Sequence, residues 1–161
     1  MYILGLDPGL RKTGWGIISY GQGGVLKHIA NGTIRPPSEG SLGARLAQLH
    51  DDIEEVIKQY APATGAVEET FVNQNPKTTL LLGQARGVVL MTIAVNNIPL
   101  SEYSPNKIKK TVVGSGHAGK AQMMAMVKML LPGVEFDSED AADALAIAIC
   151  HAQHYTLWNQ S

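Results

Sequence analysis

The stretch Met1-Tyr-Ile-Leu-Gly-Leu-Asp-Pro-Gly-Leu-Arg-Lys-Thr-Gly-Trp-Gly constrains the chain more than any other. Residues 2–6 form a short, nearly continuous apolar run ended by Pro8-Gly9. That is the pattern of a strand buried on both faces in the middle of a sheet. Asp7 is then the first residue to leave the core. A carboxylate at the end of a central strand has buried walls and an open front, where α/β folds put ligand chemistry. Asp also commonly does no more than cap a turn such as the one at Pro8-Gly9. The other acids of the chain decide between these two readings.

The following segments complete a mixed sheet. Residues 13–20 and 25–35 read as two further strands around the turn at Gly21-Gln-Gly-Gly, giving an antiparallel meander. Residues 41–60 carry Leu42, Leu46, Leu49, Ile53, Val56, Ile57 and Tyr60 at helical spacing, with Pro62 as the stop signal. Residues 63–67, after that helix, suit a strand parallel to the first, with Glu68 at its end as Asp7 ends the first. Asn75-Pro76 supplies a cap and a first-position proline for a long helix over residues 77–95. Only Lys77 and Arg86 are charged there, which predicts a helix buried on more than one side. Gly83 and Gly87 share one face, for tight packing on the sheet or for a subunit interface. A last strand at 98–103 precedes a short basic helix at 105–113, a glycine-containing loop, and a helix at 121–131. Its four methionines read as core filler. Asp137 or Ser138 caps a final helix running to about Tyr155. The expected architecture is α/β, a five-stranded mixed sheet flanked by helices.

With 161 residues the chain is expected to form one domain. A hydrophobic share of 45% against 17% charged argues for a globular protein rather than a disordered one. The single cysteine, Cys150, excludes an intrachain disulfide and fits a reducing compartment. No secretory signal pattern and no membrane span are expected, so the localisation expected is cytoplasmic. The net charge of −1 does not announce a nucleic-acid binder. Yet Lys107, Lys109, Lys110 and Lys120 are grouped. They are either a basic patch or, as such runs usually are, a solvated lysine face.

Asp140-Ala-Ala-Asp143-Ala-Leu-Ala opens the final helix. Asp140 and Asp143 are three apart and project from one face. Acids on a face otherwise built to pack are costly unless compensated. A helix N-terminus contributes only ~0.3–1 kcal/mol per charge, and a divalent cation far more. The other reading is a pair of exposed helix-start acids at the sheet edge. Asp7, Glu68, Asp140 and Asp143 together form an all-oxygen ligand set suited to Mg2+ or Mn2+. Two such ions ~3.5–4 Å apart activate a water and stabilise the leaving oxygen of a phosphodiester. These four acids account for four negative charges, so the remainder of the chain carries +3. That balance permits DNA binding once metal is loaded.

Several stretches carry a resemblance. They are Ile-Leu-Gly-Leu-Asp-Pro-Gly-Leu-Arg-Lys-Thr-Gly-Trp-Gly, Ala-Val-Glu-Glu-Thr-Phe, Leu-Gly-Gln-Ala-Arg-Gly-Val, Thr-Val-Val-Gly-Ser-Gly-His-Ala-Gly-Lys and Asp-Ala-Ala-Asp-Ala-Leu-Ala. In this order the sequence resembles the bacterial RuvC family of Holliday-junction resolvases over nearly its whole length. The resemblance implies a ribonuclease-H-like fold and Mg2+-dependent cutting of four-way DNA junctions in recombination and repair. It implies metal ligands at Asp7, Glu68, Asp140 and Asp143, and catalytic lysines at Lys109 and Lys120. It further implies a junction-contacting aromatic at Phe71, with Lys107 and Lys110 as further DNA-binding candidates. Glu69 stands where many members carry Gln and is left out of the ligand set. The family also implies a homodimer cutting two opposed strands, and cooperation with a branch-migration helicase.

Two rivals remain at the level of sequence. An actin-like kinase or ATPase also begins with an apolar strand, an acid and a glycine turn, but needs two lobes. A non-catalytic junction-binding module should lack one or more of the four acids. ATP hydrolysis tests the first, and junction cleavage with Mg2+ tests the second.

Overall fold

The structure of the protein, a computed structural model, describes residues 1–9, 11–69 and 74–158. Five strands form one sheet: β1 (Tyr2–Asp7), β2 (Thr13–Tyr20), β3 (Leu26–Ile34), β4 (Thr64–Glu68) and β5 (Leu100–Tyr103). Their order across the sheet is β3-β2-β1-β4-β5. β1, β2 and β3 pair antiparallel, and β1, β4 and β5 pair parallel. β1 is therefore central, as its apolar run predicts: Ile3, Leu4 and Leu6 are essentially inaccessible to solvent.

Among the described residues five α-helices cover the sheet: α1 (Leu42–Tyr60), α2 (Pro76–Val95), α3 (Pro105–Val113), α4 (Lys120–Leu130) and α5 (Glu139–Trp158). Alternation along the strands divides the core into two layers. Leu4, Leu6, Ile17 and Val67 face α1 and α2. Ile3, Ile18 and Ala66 face α3, α4 and α5. The caps are those the sequence offers. The Ser41 hydroxyl accepts from Ala44 N, Asn75 Oδ1 accepts from Lys77 N and Thr78 N, and Ser104 Oγ accepts from Lys107 N. Gly114 closes α3 in the left-handed conformation at φ 92°, where only a residue without a β-carbon sits without strain.

Two sequence-based expectations need correction. Within the single chain α2 buries one side only, through Ala85, Val89, Thr92 and Ile93, so its glycine face does not pack on the sheet. Leu80, Met91 and Val95 on its other side are 49–63% exposed. By length and composition α2 also passes for a membrane-crossing helix, the only such helix among the described residues. Its Arg86, however, is bonded to the sheet. Among the methionines of α4, Met123 and Met126 pack on the core, but Met129 is 74% exposed. An amphipathic helix of 11 residues has more apolar side chains here than its one buried stripe accommodates.

Candidate active site

β1 ends in Asp7, and its parallel neighbour β4 ends in Glu68. Leu6 is in register with Val67, so the two carboxylates leave adjacent strands at the same end of the sheet. Asp140 and Asp143 come from the first turns of α5. They reach Asp7 because α5 lies very close to the sheet. A β-carbon at Gly5 would strike the carbonyl oxygen of Ala144, and one at Gly14 would strike that of Asp140. The helix matches these glycines with buried Ala141, Ala144 and Ala148. Glycine in the strands and alanine in the helix thus set the distance between four acids.

Carboxylate oxygens of Asp7, Asp140 and Asp143 lie within 4.8 Å of one another. Glu68 stands beside them, lining with Asp143, Lys109 and Lys120 a cavity of about 370 Å3. Burial, reinforced by Asp143, Glu68 and Asp140, pushes the Asp7 carboxyl up to about 8, against the pull of Lys120. Burial and Asp143 likewise raise Glu68, opposed by Lys109, Arg86 and Lys120. Burial raises Asp143 too, with Lys120 opposing. Such a group of acids is short of positive charge. Its donors are all oxygen, which fits a hard divalent cation and not zinc.

Lys120, in the first turn of α4, stands against this cluster. Its Nζ is 3.2 Å from Glu139 Oε2 and 3.6 Å from Asp143 Oδ2. Burial pulls its ammonium down, but Asp143 and Glu139 outweigh burial and raise it. Lys109 faces the same cavity from α3. Lys107 and Lys110 do not. Residues two apart on a helix point to different sides. Lys107 lies over the Tyr103 ring, 5.5 Å from its centroid, and lines a separate cavity with His151 and His154. Lys110 borders a shallow surface with Asn106 and His117. Phe71 lies outside the described residues.

Two supports hold the site, and of their bonds the sequence offered only the Ser138 cap. The first holds the start of α5. Ser138 caps it, its hydroxyl accepting from Ala141 N at 3.1 Å, and also bonds Thr33 of β3. Asn31 of β3 donates to Glu135 O and accepts from Asp137 N, each at 2.9 Å. The second holds the end of β4. Arg86 donates to the backbone carbonyl of Glu68 and pairs with Glu102. Its side chain is only 13% exposed. One charge in the middle of a long apolar helix was the available signal, since such a group stays only where it is bonded. Glu139, the partner of Lys120, carried no signal beyond a helix-start acid.

The profile of the family described as crossover junction endodeoxyribonuclease RuvC matches residues 3–151. The chain is 56% identical over 154 residues to the crossover junction endodeoxyribonuclease RuvC of Paramagnetospirillum magneticum, covering 96% of this chain and 92% of that one. It is 55% identical over 155 residues to that of Rhodospirillum rubrum, covering 96% and 90%. Its fold superposes on T. thermophilus RuvC in complex with Holliday junction substrate with a TM-score of 0.90 at 28% identity, over 98% of this chain and 96% of that one. The five-stranded sheet with its flanking helices is the ribonuclease-H-like fold that this match carries. With the match running through both strand-end acids and both helix acids, the chain belongs to the RuvC family of crossover junction endodeoxyribonucleases.

Proposed function

We propose that this protein resolves four-way DNA junctions as a homodimer, by metal-dependent hydrolysis of one phosphodiester on each of two opposed strands. Its setting is recombination and repair in the cytoplasm, alongside a branch-migration helicase. The observation that carries the reading is the approach of Asp7, Asp140 and Asp143, from a strand end and a helix start, to within 4.8 Å. Together with Glu68 these residues would hold two Mg2+ ions per subunit, with Mn2+ as a substitute. The bound ions supply Lewis-acid stabilisation of the phosphoryl oxygens and a more acidic water. Lys120 orients Asp143 and brings positive charge to where the scissile phosphate gains negative charge. Lys109 adds a second cation across the same cavity. Water attacks phosphorus as the bond to the leaving sugar oxygen breaks, and both nicked ends remain ligatable.

The dimer is supported by α2. A β-carbon at Gly83 or Gly87 would meet nothing within 4 Å, so these glycines do not pack on the sheet. They share an outward stripe with exposed Leu80, Met91 and Val95. An apolar stripe of that length on a soluble protein marks an interface. The deciding experiment incubates the protein with a synthetic four-way junction and a linear duplex of the same sequence. Mg2+ is compared with EDTA, and products are read on a denaturing gel. Symmetric incisions in the junction alone, only with Mg2+, are expected. An uncut junction, or equal cutting of the duplex, would sink the reading.

A further inference from the structure

On the other face of the β1 tip, a second cleft lies between α1 and α2. Its volume is about 310 Å3, and its mouth carries Arg11, Arg45 and Lys77 over a floor that includes Leu46, Leu81 and Ala85. No described acid lines this cleft. None of its three cations forms an ion pair among the described residues. Positions 10 and 70–73 are Leu, Thr, Phe, Val and Asn, so they bring no carboxylate either. Arg45 Nε is buried and has no hydrogen-bond partner among the described residues. A half-buried guanidinium with an unsatisfied N–H is costly unless an acceptor enters from outside. Three cations converging without a counter-charge define that acceptor as an anion.

We infer that this cleft holds the sugar–phosphate backbone of a DNA strand, at a phosphate other than the scissile one. The inference rests on the nuclease reading above and adds a second anchoring point to it. Position favours a nucleic-acid backbone over a free anion. Gly9, two residues beyond Asp7, borders the cleft, so a strand leaving the metal site over the tip of β1 reaches it directly. The apolar floor suits the deoxyribose edge between successive phosphates. Lys77 and Arg11 are exposed and act as phosphate tethers, whereas half-buried Arg45 offers a directed fork. These contacts neutralise phosphates and read no bases, so they hold the strand in register irrespective of sequence.

The test measures binding of a fluorescently labelled four-way junction by anisotropy in EDTA, from about 50 to 250 mM salt. Arg45→Gln and Lys77→Gln should each weaken binding several-fold and lower the slope of log K against log salt by about one. The double variant should lower it by about two. Lys58→Gln, at an exposed lysine already paired with Glu54, should leave the slope unchanged. The single-turnover cleavage rate at saturating enzyme with Mg2+ should stay within about twofold of wild type, since no substituted residue touches the reacting phosphate. Should Arg45→Gln fail to fold, Arg11→Gln with Lys77→Gln carries the test at two exposed positions. A multiply substituted protein that melts normally and keeps the wild-type slope overturns the cleft assignment, and wild-type junction cleavage in the same experiment leaves the nuclease standing. Conversely, a wild-type protein that cuts nothing, but whose salt slope falls in these variants, keeps the cleft and removes the nuclease.

Discussion

Lys120 Nζ lies 3.6 Å from Asp143 Oδ2, so a cation from α4 meets a carboxylate of the acidic cluster directly. Both residues stand at helix starts, one opening α4 and the other in the first turns of α5. The lysine therefore both restrains an acid and faces the open cavity in which a phosphate would react.

That double position separates two effects of Lys120→Ala. Loss of a charge aimed at a developing oxyanion costs roughly 10²–10³-fold in the chemical step. Loss of one phosphate tether costs only affinity. We expect single-turnover cleavage to fall by about 100-fold or more, with junction affinity in EDTA changed by less than about threefold. A fall in affinity alone would make Lys120 a tether.

Asp7 gives a prediction about stability and pH. Its ordinary value is 3.8, and in the fold burial and the neighbouring acids push it up to about 8. Between those values the folded protein binds more protons than the unfolded chain, so stability falls as pH rises through the window. The raised Glu68 and Asp143 act in the same direction. His151 acts oppositely: burial and His154 lower it to about 4, so it weakens the fold only as pH drops below 6.5. Between pH 6.5 and 8 the acids therefore act without it. In EDTA the melting temperature should fall across that interval. Mg2+, which favours the ionised acids, should flatten the profile, and so should Asp7→Asn. An EDTA profile already flat from pH 6.5 to 8 would contradict the assigned crowding of the cluster.

Arg86 is a positioning residue. It bonds the backbone carbonyl of Glu68 and the carboxylate of Glu102, and so holds the end of β4. Groups that hold a ligand in place typically cost 10–100-fold in metal affinity or activity when removed. Arg86→Lys keeps the charge but cannot reach both Glu68 O and Glu102 with a rigid fork. Calorimetric titration with Mn2+ in the absence of DNA should show weaker binding by about tenfold, with junction affinity in EDTA unchanged. Cleavage should recover at high Mn2+. Unaltered Mn2+ binding with a lowered melting temperature would reduce Arg86 to a packing role.

The sequence carried the strand-end positions of Asp7 and Glu68, because an apolar run stopped by Pro8-Gly9 and a short run after a helix are both local patterns. It also carried the shared face of Asp140 and Asp143. It did not separate Lys109 from Lys107 and Lys110, since these three lysines are neighbours in the chain and diverge only once wound on α3. Nor did it value Gly5 and Gly14, whose role appears only when α5 crosses them. Apolar composition alone could not tell a doubly buried α2 from one with a buried and an open side. Leu80 and Val89 are equally apolar in sequence, yet only Val89 meets the sheet.

That open side of α2 yields the last prediction. Gly87 has empty space where its β-carbon would be, so Gly87→Arg should fold as a monomer at least as well as wild type. Replacing a mid-helix glycine by a better helix former contributes roughly 0.5–1 kcal/mol. The same guanidinium would sit in the stripe of Leu80, Met91 and Val95, where an apolar two-fold interface cannot accept an unpaired charge. Analytical ultracentrifugation should give a dimer for wild type and a monomer for Gly87→Arg. A supercoiled plasmid with an extruded cruciform then reports the consequence. Two metal sites acting within one binding event linearise it, whereas a single site only relaxes it by nicking. Wild type should produce linear plasmid and Gly87→Arg mainly relaxed circles, with the acids of each subunit intact. A wild-type protein that sediments as a monomer and yields relaxed circles would remove the paired mechanism while leaving the metal site and its chemistry in place.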